Sequence, residues 1–288
     1  MKLYYSPDYI RSKHAFDTTR KAGWIADDLR AVPIANVAMI EPLPLTCVEL
    51  EALHDATYIE AVRTGRPVEL AESQGFDWDP GLWRMVCASN GGAVHAAFVA
   101  LTERCNAGSL SSGLHHARRG AGAGFCTFNG VALAAKAALG AGAARVLILD
   151  LDAHCGGGTD ELVGADRRIR IIDVSTSAFD DYAPQGANTL DVTTGAEGPY
   201  MATVIRRLQE ANRFLPDLCI YNAGMDPFGA LSALALATRE ALVFKWAASR
   251  RVPVAFVLAG GYTGANLTEA GLVRLHRMTI EAAARGDT

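Results

Sequence analysis

Two carboxylates and an imidazole at alternate positions, Asp150-x-Asp152-x-His154, form the group in this chain best suited to chemistry. Side chains on an extended segment alternate with period two, so all three project to one side and offer a donor set for a cation. Capping of the next helix, or contact with water, would account for either aspartate alone. Together with a third aspartate, Asp226 in Asn222-Ala-Gly-Met-Asp226, and in a chain with seven histidines, the set favours a metal. Three protein ligands leave the fourth position for water, the catalytic pattern of zinc coordination. The oxygen-rich shell also tolerates Fe2+, Mn2+ or Co2+. A second group is Gly113-Leu-His115-His116. Adjacent histidines in a Gly/Arg loop also suit a plain surface. Their place ahead of a helix feeding the metal-bearing strand makes them candidates to take a proton from water and return it to a leaving amine. Tyr262 follows Gly260 and Gly261, whose small size lets the backbone and the phenol approach a buried ligand and donate a hydrogen bond to a developing oxyanion. An isolated tyrosine otherwise packs amphipathically at a rim.

Such residues need a frame that gathers strand ends. The second half of the chain alternates short apolar runs with longer segments of helical period, the pattern of parallel strands joined by helices. Strands are expected over Ala144 to Asp150, Ile169 to Ser175, Asp217 to Ala223 and Val252 to Ala259. Their continuous apolarity implies a sheet covered on both faces. Helices are expected near Gly198 to Phe214, Ala235 to Ser249, Leu267 to Ala284 and Asn129 to Leu139. In the less periodic first half, an edge strand over Lys2 to Tyr5 precedes helices near Thr18 to Leu29, Cys47 to Arg63 and Gly81 to Glu103. No linker divides the chain, so residues 1–288 read as one α/β domain. In open parallel sheets ligands bind beyond the carboxyl ends of the strands, which is where the residues above fall.

Composition narrows the function. The 288 residues are 50% hydrophobic, with net charge −4 and no dense basic block, which argues against a surface built for nucleic acid. Six irregularly spaced cysteines without a C-x-x-C suggest reduced thiols and a cytoplasmic setting. The N-terminus lacks an apolar leader, and runs such as Val252 to Ala259 fall short of a bilayer span, so no membrane role is expected.

Taken together, Gly-Leu-His115-His116, Gly124-Phe125-Cys126-x-Phe-Asn129, Asp150-x-Asp152-x-His154-x-Gly-x-Gly158-Thr159, Ala223-Gly-x-Asp226 and Gly260-Gly261-Tyr262 resemble the histone deacetylase superfamily of metal-dependent amidohydrolases. Acetylpolyamine amidohydrolases and acetoin-utilisation proteins are relatives within it, and the wording here looks most like the class IV branch. Weaker matches, His14-Ala-Phe-Asp17, His54-Asp-x-x-Tyr58 and Trp78-x-Pro-Gly81, extend the resemblance over nearly the whole chain. The resemblance implies an arginase-like α/β fold with a mostly parallel sheet, and one Zn2+ held by Asp152, His154 and Asp226. It implies hydrolysis of an N-acyl group from an acyl-lysine side chain or a small acylated amine. By position, His115 and His116 look like the family's tandem histidines, His116 being the general base and acid. Tyr262 looks like the carbonyl-polarising tyrosine. Gly124 and Phe125, with Gly260 and Gly261, look like the substrate tunnel. Asp150 and Ser175, with backbone near Asp152 and His154, resemble a site for K+ or Na+, and Asp150 would also orient His115.

The departures are specific. Relatives usually carry Asn or Asp between the two glycines after the metal histidine, where it hydrogen-bonds the second histidine of the pair; this chain has Gly157. His116 then lacks that partner unless another residue or a water replaces it; if it does lack one, Gly157→Asn should leave activity equal or raised, and a folded, metal-loaded variant with much lower activity would show that a different arrangement has replaced that hydrogen bond. Cys155 should point away from the metal face. Ser177 replaces a histidine common after the cation-site serine, and Asp226 runs directly into Pro227-Phe-Gly229, which shortens a loop and lets Asp226 align with either of two family aspartates. Three other readings stand beside the deacylase: a two-manganese ureohydrolase, a degenerate member that binds acylated ligands, and an enzyme deprotecting an N-acyl biosynthetic intermediate. Neither substrate nor oligomeric state follows from the sequence.

Overall fold

The apolar runs in the middle and end of the chain form the central strands of an eight-stranded sheet: β4 (Val146–Asp150), β5 (Ile169–Ser175), β7 (Leu218–Gly224) and β8 (Val254–Ala259). Nearly every residue in them is buried, as strands covered on both faces require. Four shorter strands complete the sheet: β1 (Lys2–Tyr4), β2 (Ala38–Ile40), β3 (Ala107–Ser109) and β6 (Thr189–Val192). The order is β2-β1-β3-β8-β7-β4-β5-β6, and every strand pairing is parallel. The computed structural model describes residues 1–14 and 16–286, so Ala15 of the His14–Asp17 match and the last two residues of the 1–288 domain lie outside the described residues.

The helices are α1 (Asp17–Ala31), α2 (Cys47–Leu50), α3 (Ala56–Thr64), α4 (Val68–Ala71), α5 (Pro80–Glu103), α6 (Gly130–Gly140), α7 (Gly157–Val163), α8 (Glu197–Ala211), α9 (Ala233–Arg250) and α10 (Glu269–Gly286). They cover both faces of the sheet, giving one apolar cluster under α1, α8, α9 and α10 and another under α3, α5 and α6. This is a single-domain α/β fold of the arginase and deacetylase type. Among these helices α5 is long and apolar enough to cross a membrane, and 72% of its most apolar window is buried inside the fold.

Two expectations need correction. The strand at the N-terminus is internal, not an edge: β1 pairs with β2 on one side and β3 on the other, and β2 and β6 are the edges. The helix expected from Cys47 to Arg63 is broken between α2 and α3. A capping box begins α2, the Thr46 hydroxyl accepting from Glu49 N and the Glu49 carboxylate accepting from Thr46 N. The chain then leaves the helix because its polar groups are used elsewhere. Asp55 N donates to Arg119 O (2.9 Å), and His54 Nδ1 donates to Arg118 O (2.8 Å) while its Nε2 accepts from Asn129 N (3.1 Å). The break therefore ties two loops of the functional region together.

Burial holds the His54 imidazole neutral and lowers its pKa to about 4 from an ordinary 6.5. In the unfolded chain His54 takes up a proton below pH 6.5, whereas in the native chain it does so only near 4. Its stabilising contribution is therefore complete above pH 6.5 and lost as pH falls towards 4. At ~1.4 kcal/mol per pKa unit the loss is about 3 kcal/mol. Urea unfolding at pH 7 and pH 4.5 should show that loss, and His54→Gln should flatten the dependence by a similar amount.

Candidate active site

Asp152 and His154 lie in the loop between β4 and α7, and Asp226 lies two residues beyond β7, the neighbouring strand. One ligand atom from each falls within 4.8 Å of the other two. His154 Nδ1 is 3.2 Å from Asp152 Oδ1 and 3.2 Å from Asp226 Oδ2, so the alternation read from the sequence does converge on one point. The two carboxylates raise the pKa of His154 to about 9 by hydrogen bonding, against its burial. Burial and the Asp152 charge push Asp226 up, while hydrogen bonds from His154 hold Asp152 well down. A compact field that attracts a proton this strongly is equally suited to a divalent cation. The donor set and its burial fit a zinc or iron ion held by Asp152, His154 and Asp226.

Close backbone approach makes this packing possible. A Cβ on Gly260 would fall on the Asp226 carboxylate, and one on Gly224 would fall on Asp152. Arg239, fully buried, donates to Leu151 O (2.9 Å) and Gly224 O (2.7 Å), fixing the two strand ends that carry the aspartates, and is itself paired with Glu240. Lys21 on α1 donates to Gly260 O (2.6 Å), and Gly261 N donates to Asp226. Gly260 and Gly261 both have positive φ, +51° and +83°, which a larger residue would resist.

The histidine pair follows β3, the strand beside β8. Asn129 caps α6 by accepting from Ala132 N, and its amide donates to His115 O (3.1 Å) and Ala117 O (3.2 Å), so the Phe-Asn motif holds the pair in place. His115 Nδ1 is 2.8 Å from Asp150 Oδ2, as expected, and Asn222 donates to the other Asp150 oxygen. His116 Nδ1 is 2.8 Å from Asp180 Oδ2. The two rings, with centroids 4.0 Å apart, titrate in opposite directions. Burial opposes the charge on His115, but Asp150, with Asp152 and Asp173, raises its pKa to about 10. Burial and the neighbouring His115 cation lower that of His116 despite Asp180.

Asp180 is thus the other residue that the sequence left open as a partner for His116. A Cβ on Gly157 would lie 2.6 Å from Asp180 Oδ1 and 2.7 Å from Asp180 O, so there is no free space for an asparagine there. Cys155 is buried, with its thiol 3.3 Å from Ser177 O.

A small cleft is lined by His115, His116, Asp152, His154 and Asp226, together with Gly124, Gly260 and Tyr262. Phe125, at φ +64° and 40% exposed, stands at the mouth against Phe16 (4.7 Å) and Phe76 (5.0 Å), and Phe16 meets Tyr262 at 5.3 Å. Phe179 packs edge-on against His116 and His154 from the other side. A second small pocket shares Ser112 and Leu114 with the cleft.

Beneath these residues, Asp150 and Asp173 sit directly opposite each other on β4 and β5. Burial and the Asp150 charge push the Asp173 carboxyl up to about 8, and Asp173 accepts from Ser175 Oγ (2.8 Å) and Gly156 N (2.8 Å). Ser175 thus bonds Asp173, the strand partner of Asp150 and a second carboxylate that the sequence reading overlooked. The polar residue inside Ile-Arg-Ile-Ile-Asp173-Val-Ser175 was the available signal. Asp180, Lys21 and Phe179 were missed as well; a lysine on an amphipathic helix and two residues in an acidic turn carry no such signal.

Fold and cleft define a metal-dependent amidohydrolase arrangement. The chain belongs to the histone deacetylase family: the model of the histone deacetylase domain matches residues 11–276. It is 30% identical over 292 aligned residues to histone deacetylase 2 of Arabidopsis thaliana, covering 91% of this chain and 74% of that one. It is 28% identical to a probable deacetylase of Archaeoglobus fulgidus, over 83% and 67% of the two chains. The solved structure of the acetylpolyamine aminohydrolase of Burkholderia pseudomallei superposes with a TM-score of 0.77 at 21% identity, covering 98% of each chain, and shares the fold.

If Asp152, His154 and Asp226 hold one ion per chain, Asp226→Ala would remove one of three ligands and should reduce retained metal to a small fraction of that. Elemental analysis of the purified, folded variant checks it; unchanged stoichiometry would take Asp226 out of the site.

Proposed function

We propose that this chain is a zinc-dependent deacylase that removes an N-acyl group from an acyl-lysine side chain or a small acylated amine. The observation that carries this reading is one cleft in which a two-aspartate, one-histidine cluster faces two histidines of opposite titration and a tyrosine. Zinc held by Asp152, His154 and Asp226 would polarise the amide carbonyl and bring the pKa of water to about 7. The chain's own groups then divide the remaining work. His116, kept neutral, accepts a proton through Nε2, because Nδ1 is engaged by Asp180. His115, kept protonated, holds positive charge beside the developing oxyanion. The Tyr262 phenol donates a hydrogen bond to that same oxygen, and a histidine returns a proton to the departing amine. Phe125, packed on Phe16, and Phe179, edge-on to His116, would wall the approach of an unbranched acyl-lysine or polyamine arm and exclude water.

Beside Asp150 and Ser175, a K+ or Na+ ion would find the additional carboxylate of Asp173. Among the described residues there is a single metal-capable cluster, which favours one ion over the two of a ureohydrolase. The six irregularly spaced cysteines without a C-x-x-C remain the basis for proposing a reducing, cytoplasmic setting. The sequence features that resemble the class IV branch remain the basis for placing the chain near it.

Protein purified without added metal should carry about one zinc per chain and release fluorophore from acetyl-lysine or long-chain acyl-lysine peptides, or deacetylate acetylpolyamines, with loss on chelation and recovery with zinc. Tyr262→Phe should lower kcat about 10²- to 10³-fold with a smaller change in KM. One metal without turnover on any of these substrates would favour a binding role, and two manganese ions would favour the ureohydrolase.

A further inference from the structure

We infer that Asp180 is the positioning residue for His116, supplied from the loop after β5 in place of the side chain absent at position 157. The inference rests on the reading of His116 as the proton acceptor of a deacylase. Three observations carry it.

The first is the contact itself: Asp180 Oδ2 lies 2.8 Å from His116 Nδ1, and the carboxylate is only 10% exposed. A carboxylate accepts from Nδ1–H, so the lone pair of Nε2 is left for the cleft.

The second is exclusion. Gly157 does not adopt positive φ, so backbone conformation does not demand glycine there. Space does, because any Cβ would meet Asp180 Oδ1 at 2.6 Å and Asp180 O at 2.7 Å. A side chain at 157 and the present place of Asp180 are alternatives, and the glycine that departs from the family pattern is the one that admits Asp180.

The third is that Asp180 is held from several directions. Its own φ of +61° is a left-handed conformation that aspartate tolerates better than most residues. Arg118, two residues beyond His116, pairs with its other oxygen and reaches Glu161 (3.0 Å) and Gly157 O (3.4 Å). Cys155 N donates to Phe179 O (3.0 Å), and Ser177 N to Ala153 O (2.8 Å), stitching the turn to the metal-bearing loop. A loosely placed surface aspartate would have none of these restraints.

The test is an exchange of the two positions, read by activity and by the tautomer of His116 in long-range 15N NMR of the folded, zinc-loaded protein. Asp180→Ala should lower kcat about 10- to 100-fold with KM and zinc content nearly unchanged, and Asp180→Asn, which keeps an acceptor, should recover part of the loss. Gly157→Asn alone should also impair turnover, by displacing Asp180. Gly157→Asn combined with Asp180→Gly should exceed either single variant, because the new side chain then has both room and a partner. Wild-type protein should show His116 protonated at Nδ1, a state that Asp180→Ala mixes with the other tautomer. Undiminished kcat in Asp180→Ala, an unchanged tautomer in that variant, or a double variant no better than the singles would each overturn the inference. An inactive wild type whose His116 tautomer still depends on Asp180 would instead overturn the deacylase reading and leave the positioning role standing.

Discussion

Four aspartates, Asp150, Asp152, Asp173 and Asp226, are buried within a few residues of the carboxyl ends of three adjacent strands, and the fold must compensate them. Unpaired carboxylates so far from water would cost several kcal/mol each. Each is answered differently. Asp173 holds a proton into neutral pH, Asp150 is met by the His115 cation and the Asn222 amide, and Asp226 takes backbone N–H and the nearby charge of Lys21. What is left over is concentrated on Asp152 and Asp226 with His154 between them. A divalent ion there would complete the compensation, so the candidate metal cluster and the stability of the strand ends are one electrostatic problem.

Solving it requires groups from distant parts of the chain. Lys21 comes from α1, 239 residues before the glycine carbonyl it binds, and its burial beside two carboxylates lowers its pKa to about 8. Asp17, at the start of the same helix, accepts from the backbone and hydroxyl of Thr263, next to Tyr262. The helical front of the molecule therefore does more than cover the sheet. It holds the glycine-rich loop whose close approach to Asp226 shapes the cleft, which is why the functional region cannot be cut down to the strand-end motifs alone.

The long parallel strands and the Asp-x-Asp-x-His cluster were legible because both are local patterns: continuous apolarity in one case, alternation in the other. The three-residue strands β2 and β3 were not, since Ala-Met-Ile and Ala-Gly-Ser have no period to detect, and their pairing is decided by neighbours far away in sequence. The α2–α3 break was half legible. Thr46 and Glu49 spell a capping box, but the pull of Arg118 and Arg119 on His54 and Asp55 exists only in three dimensions. Asp180 is the extreme case. The empty position at Gly157 could be read from the sequence, whereas the carboxylate that fills it depends on the path of a turn.

The histidine pair shows why identity and spacing are insufficient to assign roles. Each ring has a carboxylate 2.8 Å from Nδ1, so a pairwise view predicts the same upward shift for both. His115, however, faces Asp150 with Asp152 close behind, and their charges outweigh its burial. The carboxylate facing His116 shares its charge with Arg118, and the adjacent ring is already a cation. Once the first histidine holds a proton, repulsion across 4.0 Å disfavours one on the second. The opposite titration of the two rings thus follows from which of two like contacts lies nearer the buried aspartates. The arginine-paired carboxylate facing His116 preserves that asymmetry, because it adds no fully unshared charge to the cluster.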